Sequence, residues 1–198
     1  YFTGMTSVSM SESTVVGNVS SANGTMYASN SAVVLDKVTA KDNKAASGGF
    51  LYLSGSASTL TVNGGLYENN SATYGGAMYI SAAQNVEING ATFKLNKSDS
   101  ETATAPDGGA IYAINTKLFV NGSTFEGNSA KNHGGAIALN GGEATLSGEN
   151  TFKNNVAGNH GGAINVIYRT VEGEKIGARL TMNGGLFEGN KALGGGAV

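Results

Sequence analysis

The sequence predicts an all-β chain wound as a right-handed parallel β-helix, a solenoid with three strands per coil and about seven coils. Three observations carry that expectation. A Phe-x-x-Asn signal recurs at Tyr67/Asn70, Phe93/Asn96, Phe125/Asn128, Phe152/Asn155 and Phe187/Asn190, with worn copies at Val15/Asn18 and Ala40/Asn43. A glycine pair recurs from Gly48, Gly75, Gly108, Gly134, Gly161 and Gly195, with Asn23-Gly24 as a degenerate first copy; successive copies lie 25 to 34 residues apart. Alternating segments run between them and end in a turn pair: LTVNG (60–64), VEING (86–90), LFVNG (118–122) and LTMNG (180–184).

Each repeat reads as three short strands in one order. The alternating segment comes first, because period-two patterning with β-branched residues favours a strand with one buried face. The Phe-x-x-Asn strand follows, and the strand after the glycine pair closes the coil. An antiparallel meander would also use the Asn-Gly pairs, but it would not repeat three different strands in the same order. The repeats run roughly over 10–34, 35–59, 60–85, 86–117, 118–143, 144–178 and 179–198, one domain over 1–198. Neither end carries a recognisable capping unit, so the chain reads as a fragment of a longer protein.

Stacking identical positions yields columns. Leu51, Met78, Ile111, Ile137 and Ile164, and two residues later Leu53, Ile80, Ala113, Leu139 and Val166, are expected to point inward. Tyr67, Phe93, Phe125, Phe152 and Phe187 form an inward aromatic column. Asn18, Asn43, Asn70, Asn96, Asn128, Asn155 and Asn190 form an asparagine ladder. Asparagine there would take the left-handed conformation of a sharp corner and hydrogen-bond one coil away. After each aromatic position comes Lys41, Glu68, Lys94, Glu126, Lys153 and Glu188, alternating in sign over six coils. Such a file neutralises itself and fixes register.

Composition narrows the function classes. The net charge is −2 and the 12 basic residues are not clustered, which argues against nucleic acid and anionic membrane as partners. Cysteine is absent, so disulfides, thiolate metal sites and thiol nucleophiles are excluded. The acidic residues are scattered and only two histidines are present, so no acid–base pair or nucleophilic triad is legible. The chain is read as a non-enzyme without a cofactor.

GGAI at 108–111, 134–137 and 161–164, GGAM at 75–78 and GGAV at 195–198 alternate with FKLN (93–96), FEGN (125–128 and 187–190) and FKNN (152–155). This pattern, over roughly residues 40–198, resembles the repeat of the chlamydial polymorphic membrane proteins and related bacterial surface proteins. GGFL at 48–51 departs from it. The resemblance implies a β-helical passenger similar to those of autotransporters, a cell-surface or extracellular location with any outer-membrane anchor outside this segment, and adhesion to host cells.

Two files are candidate sites. Tyr27, Tyr52, Tyr79 and Tyr112 share a column opposite in parity to the inward set, so they are expected to face outward as a ligand platform, or else to stack on themselves. Asp107, His133 and His160 directly precede glycine pairs in successive coils, a file that could hold a divalent metal. The longer turns Lys97–Asp107 and Ile167–Ala178 are candidate recognition loops by position. The leading function is an adhesin-like surface segment that binds a host-cell surface protein or glycan. The alternatives are a module that self-associates through open ends, and the non-catalytic part of a carbohydrate-active β-helix enzyme.

Overall fold

A computed structural model describes residues 1–100 and 107–198. Every regular element in them is a β-strand, and all strands of the stack pair in parallel. A broad sheet of twelve strands, a sheet of seven and a narrow sheet of four wrap one elongated core as a β-solenoid. The seven-stranded sheet steps from one aromatic-column strand to the next, from Thr14–Val16 to Leu186–Glu188, about six turns of the chain.

The broad sheet contains two strands of each rung. Strands after the glycine pair (Met26–Ser29, Leu51–Ser54, Met78–Ser81) lie beside one another, as do the alternating strands (Ala32–Asp36, Thr59–Asn63, Asn85–Asn89). In two rungs they fuse into single strands, Ile111–Asn121 and Ile137–Ser147. The corner between them takes one left-handed residue in the first, Asn115, and two in the second, Gly141 and Gly142, and the ladder runs through it. The narrow sheet (Ser71–Ala72, Lys97–Ser98, Ser129–Ala130, Val156–Ala157) adds a short strand, missed by the sequence reading, after Asn70, Asn96, Asn128 and Asn155. Two residues carry no detectable period.

Register follows the sequence columns. Leu51 pairs with Met78, Met78 with Ile111, Ile111 with Ile137 and Ile137 with Ile164, all within 1% of full burial. The rings of Phe93, Phe125, Phe152 and Phe187 stack at centroid spacings of 4.8–4.9 Å and interplanar angles of at most 5°. That spacing is the strand spacing, so like stacks on like with no change of rotamer. The departure at Phe50 also has a cause. Ala40 interrupts the aromatic column directly beside Tyr67, and Phe50, fully buried, lays its ring against Tyr67 at 5.8 Å. The bulk missing at one position is restored from the opposite wall.

Both glycines of the pair are required, for different reasons. The first sits at φ of 60–68° in each pair from Gly48 to Gly195. The second has no room: a Cβ on Gly109 would lie 2.0 Å from the carbonyl oxygen of Gly135, and one on Gly135 would lie 2.1 Å from that of Gly162.

The asparagine ladder is present and uses every polar atom. Asn96 Nδ2 donates to Asn128 Oδ1 at 3.0 Å and to the Tyr67 carbonyl one rung back at 2.8 Å. Its Oδ1 accepts from the backbone N–H and Nδ2 of Asn70, both at 3.0 Å. The expected left-handed corner, however, falls one residue earlier, at Gly17, Asp42, Asn69, Leu95, Gly127, Asn154 and Gly189 (φ 53–68°). The ladder asparagine is spared that conformation because its amide must point along the stack. In the charged column Lys41–Glu68, Lys94–Glu126 and Lys153–Glu188 close as ion pairs at 2.7, 3.7 and 3.3 Å.

Candidate functional site

The tight glycine turn brings two columns side by side on the same face. One is the tyrosine file. Tyr1, missed in the sequence reading, extends it: Tyr1–Tyr27, Tyr27–Tyr52 and Tyr52–Tyr79 stack at centroid distances of 4.6, 5.3 and 4.7 Å, with interplanar angles below 20°. Tyr27, Tyr52 and Tyr79 are half-buried. Burial, and after it the adjacent Tyr27, raises the Tyr52 phenol above its usual range. Stacking in this way covers the ring faces and leaves ring edges and hydroxyls to solvent. Between Tyr27 and Tyr52 a sugar that needs an open aromatic face finds none.

Tyr112 departs from the expectation of an outward ring. It is only 8% exposed, meets Tyr79 edge-on at 72°, and is overlain by Tyr74 at 5.9 Å. Asn140 Nδ2 donates to its hydroxyl at 3.1 Å. Tyr74 causes the change: it precedes a glycine pair, in the slot that holds Ser47 one rung before and Asp107 one rung after, and reaches across to the tyrosine column. The exposed ladder therefore ends at Tyr79.

The second column is the Asp107–His133–His160 file, which forms as the sequence suggests. Asp107 is buried and its Oδ1 accepts the His133 backbone N–H and Asn132 Nδ2–H, each at 3.1 Å; His133 Nδ1 lies 3.0 Å from the same oxygen. Burial pushes the Asp107 carboxyl up, and His133 and Asn132 oppose the shift. The His133 and His160 rings stack at 5.3 Å and 26°. The three are stacked in file rather than gathered around one point. Asp107 Oδ1 is engaged within the chain, and the two imidazole planes lie 26° apart. Among the described residues no group of three His, Cys, Asp or Glu is placed to hold a metal ion.

Of the two long turns, residues 101–106 of Lys97–Asp107 lie outside the described residues. Before them Lys97 pairs with Asp99 at 2.6 Å, and this contact holds the Asp99 carboxyl below its usual range. The Ile167–Ala178 turn is a hairpin of strands Arg169–Val171 and Glu174–Ile176, joined through Glu172 (φ 51°) and Gly173 (φ 87°). Two central residues with positive φ match the twist of such a hairpin. Lys175 Nζ lies 4.4 Å above the Tyr168 ring at its base.

Stacked parallel rungs, an asparagine ladder and paired-glycine corners define a β-solenoid repeat protein. The repeat is of a known kind: residues 122–140 and 151–166 match the Chlamydia polymorphic membrane protein repeat, each stretch holding one Phe-x-x-Asn strand and one GGAI strand. A stretch of 89 residues, 45% of the chain, is 33% identical to "Metabotropic glutamate receptor-like protein R" of Dictyostelium discoideum. The chain spans only about 5% of that protein's length. No solved structure matches the chain.

Proposed function

We propose that this solenoid is a non-catalytic, adhesin-like segment displayed at a cell surface, and that the tyrosine ladder is its contact edge for a protein on a host cell. The repeat type supports the surface location. The single observation that carries the contact edge is the unbroken stack of Tyr27, Tyr52 and Tyr79, half-buried on a rigid sheet and continued by the exposed ring of Tyr1. Ring edges and phenol hydroxyls suit a protein partner, because tyrosine gives large contact area with few rotors to immobilise. From Tyr27 to Tyr52 the ring faces, on which sugars often stack, are already taken by neighbouring rings.

The test is cell binding by the double variant Tyr52→Phe/Tyr79→Phe, which keeps the stack and removes two hydroxyls, and by Tyr52→Ala/Tyr79→Ala, which removes the edge. Binding is expected to fall by about tenfold for the first, a loss of about 1.4 kcal/mol, and further for the second. Protease treatment of the target cells should abolish wild-type binding. Undiminished binding by the alanine pair at unchanged melting temperature refutes the ladder as the contact edge.

A further inference from the structure

The corner where the broad sheet bends carries a second surface feature, distinct from the tyrosine face. Rung by rung, the turn between the two strands differs in length. It is four residues at 55–58, three at 82–84, absent where Ile111–Asn121 and Ile137–Ser147 run straight through, and ten at 168–177, where the hairpin stands. The two straight-through rungs, with the three-residue turn beside them, form a saddle between the 55–58 turn and the hairpin. A cleft of about 450 Å³ fills it, running from Ser56 to the hairpin's Ile176 over a floor of Ala82, Ala83 and Gly142. Four rung steps make it roughly 19 Å long along the solenoid axis.

We propose that this saddle binds a short linear, uncharged oligosaccharide lying along the axis. Its volume is that of a ligand site, and its lining joins a small apolar floor to polar walls of Ser56, Gln84, Asn115, Thr116, Lys117 and Glu143. Gln84 and Asn115 each turn a side-chain carboxamide, donor and acceptor together, to the cleft without a hydrogen-bond partner among the described residues. Lys117 and Glu143 are register neighbours of opposite sign, and neither closes an ion pair among the described residues. The lining itself holds one ammonium and one carboxylate, with Arg179 in register beyond Glu143, and hydroxyl groups can use donor, acceptor, ammonium and carboxylate alike. Methyl and glycine floors with the Ile176 wall accept the C–H faces of sugar rings. A peptide added as a strand has no purchase, because the floor's backbone is already spent on its neighbours: Ala82 N–H donates to the Ile114 carbonyl and Gln84 N–H to that of Ser58.

Ala82 stands in a column of left-handed residues, Asn30, Gly55, Ala82, Asn115 and Gly141, with φ of 46, 98, 56, 47 and 69°. Asparagine and glycine tolerate that conformation better than alanine, so the backbone at this position accepts an asparagine. An asparagine at 82 would ease the turn and fill the floor.

The experiment is calorimetry and array binding of the full chain with a panel of neutral linear oligosaccharides (hexose and N-acetylhexosamine oligomers), with sulfated and sialylated glycans alongside. Wild type is expected to bind a neutral oligosaccharide. Ala82→Asn and Gln84→Ala should each weaken that binding by about tenfold or more, with no drop in melting temperature for Ala82→Asn. Tyr52→Phe should leave it unchanged. Binding to none of the neutral panel, binding confined to acidic glycans, or binding untouched by both saddle variants would overturn the proposal. Loss with Tyr52→Phe alone would also overturn it. Cell binding through the tyrosine edge is read separately, so each idea can fail without the other.

Discussion

Tyr67 occupies a column that is otherwise phenylalanine from Phe93 onward, yet its hydroxyl is buried and meets no partner. Burial raises that phenol far above its usual range. An orphaned buried hydroxyl costs about 1–3 kcal/mol, so Tyr67→Phe is expected to stabilise the protein by about 1 kcal/mol or more, read as a higher urea midpoint. A lower midpoint would mean that the hydroxyl has a partner in solution. Asp107 makes the opposite kind of residue-scale point. Its folded-state carboxyl is raised above the unfolded value, so the folded chain holds the proton more tightly. Stability on this account is greatest below the ordinary aspartate range and is lost as pH rises through the raised value. Asp107→Asn keeps an oxygen for Asn132 and the His133 N–H while removing the charge. It should match or exceed wild type in midpoint at pH 7, and the difference should shrink at pH 4. A variant weaker at pH 7 would show that the contact with His133 outweighs burial.

Within a rung, what decides the fold is how each wall compensates the next. Phe50 replaces the alanine found at Ala77, Ala110, Ala136 and Ala163, and its ring fills the volume vacated by Ala40. Phe50→Ala alone should cost about 3–5 kcal/mol, as for other buried rings. Ala40→Phe alone should also destabilise, by overfilling. Together they should recover most of the loss, and a double-mutant cycle in urea measures that coupling. Strict additivity would sink the compensation. The columns themselves were legible in the sequence because a stacked repeat turns equal phase into spatial contact. Leu51, Met78, Ile111 and the asparagine ladder needed nothing more than the period. What was not legible depends on contacts between columns of different phase. Tyr74 covers Tyr112, and Asn132 shares the Asp107 oxygen, through geometry that one glycine turn creates. Single left-handed residues such as Leu95 also leave no trace in a pattern of hydrophobicity.

Across the whole molecule, each rung touches only its neighbours, so stability accumulates rung by rung rather than around a central core. The saddle was invisible in the sequence for the same reason that the fold was plain: it arises from differences between turns in successive rungs, not from what they share. The hairpin at 169–176 was placed by position alone; its importance lies in standing beside two straight-through corners. The asparagine ladder has a consequence at this scale too. From Asn43 to Asn155 every carboxamide oxygen accepts from the rung before it, and every amide nitrogen reaches the oxygen of the rung after. Parallel sheets largely cancel their peptide dipoles, but side chains aligned with one sense do not. The rod is thus electrically vectorial, with one pole rich in oxygen and the other in N–H, and a field applied along it would distinguish its two directions.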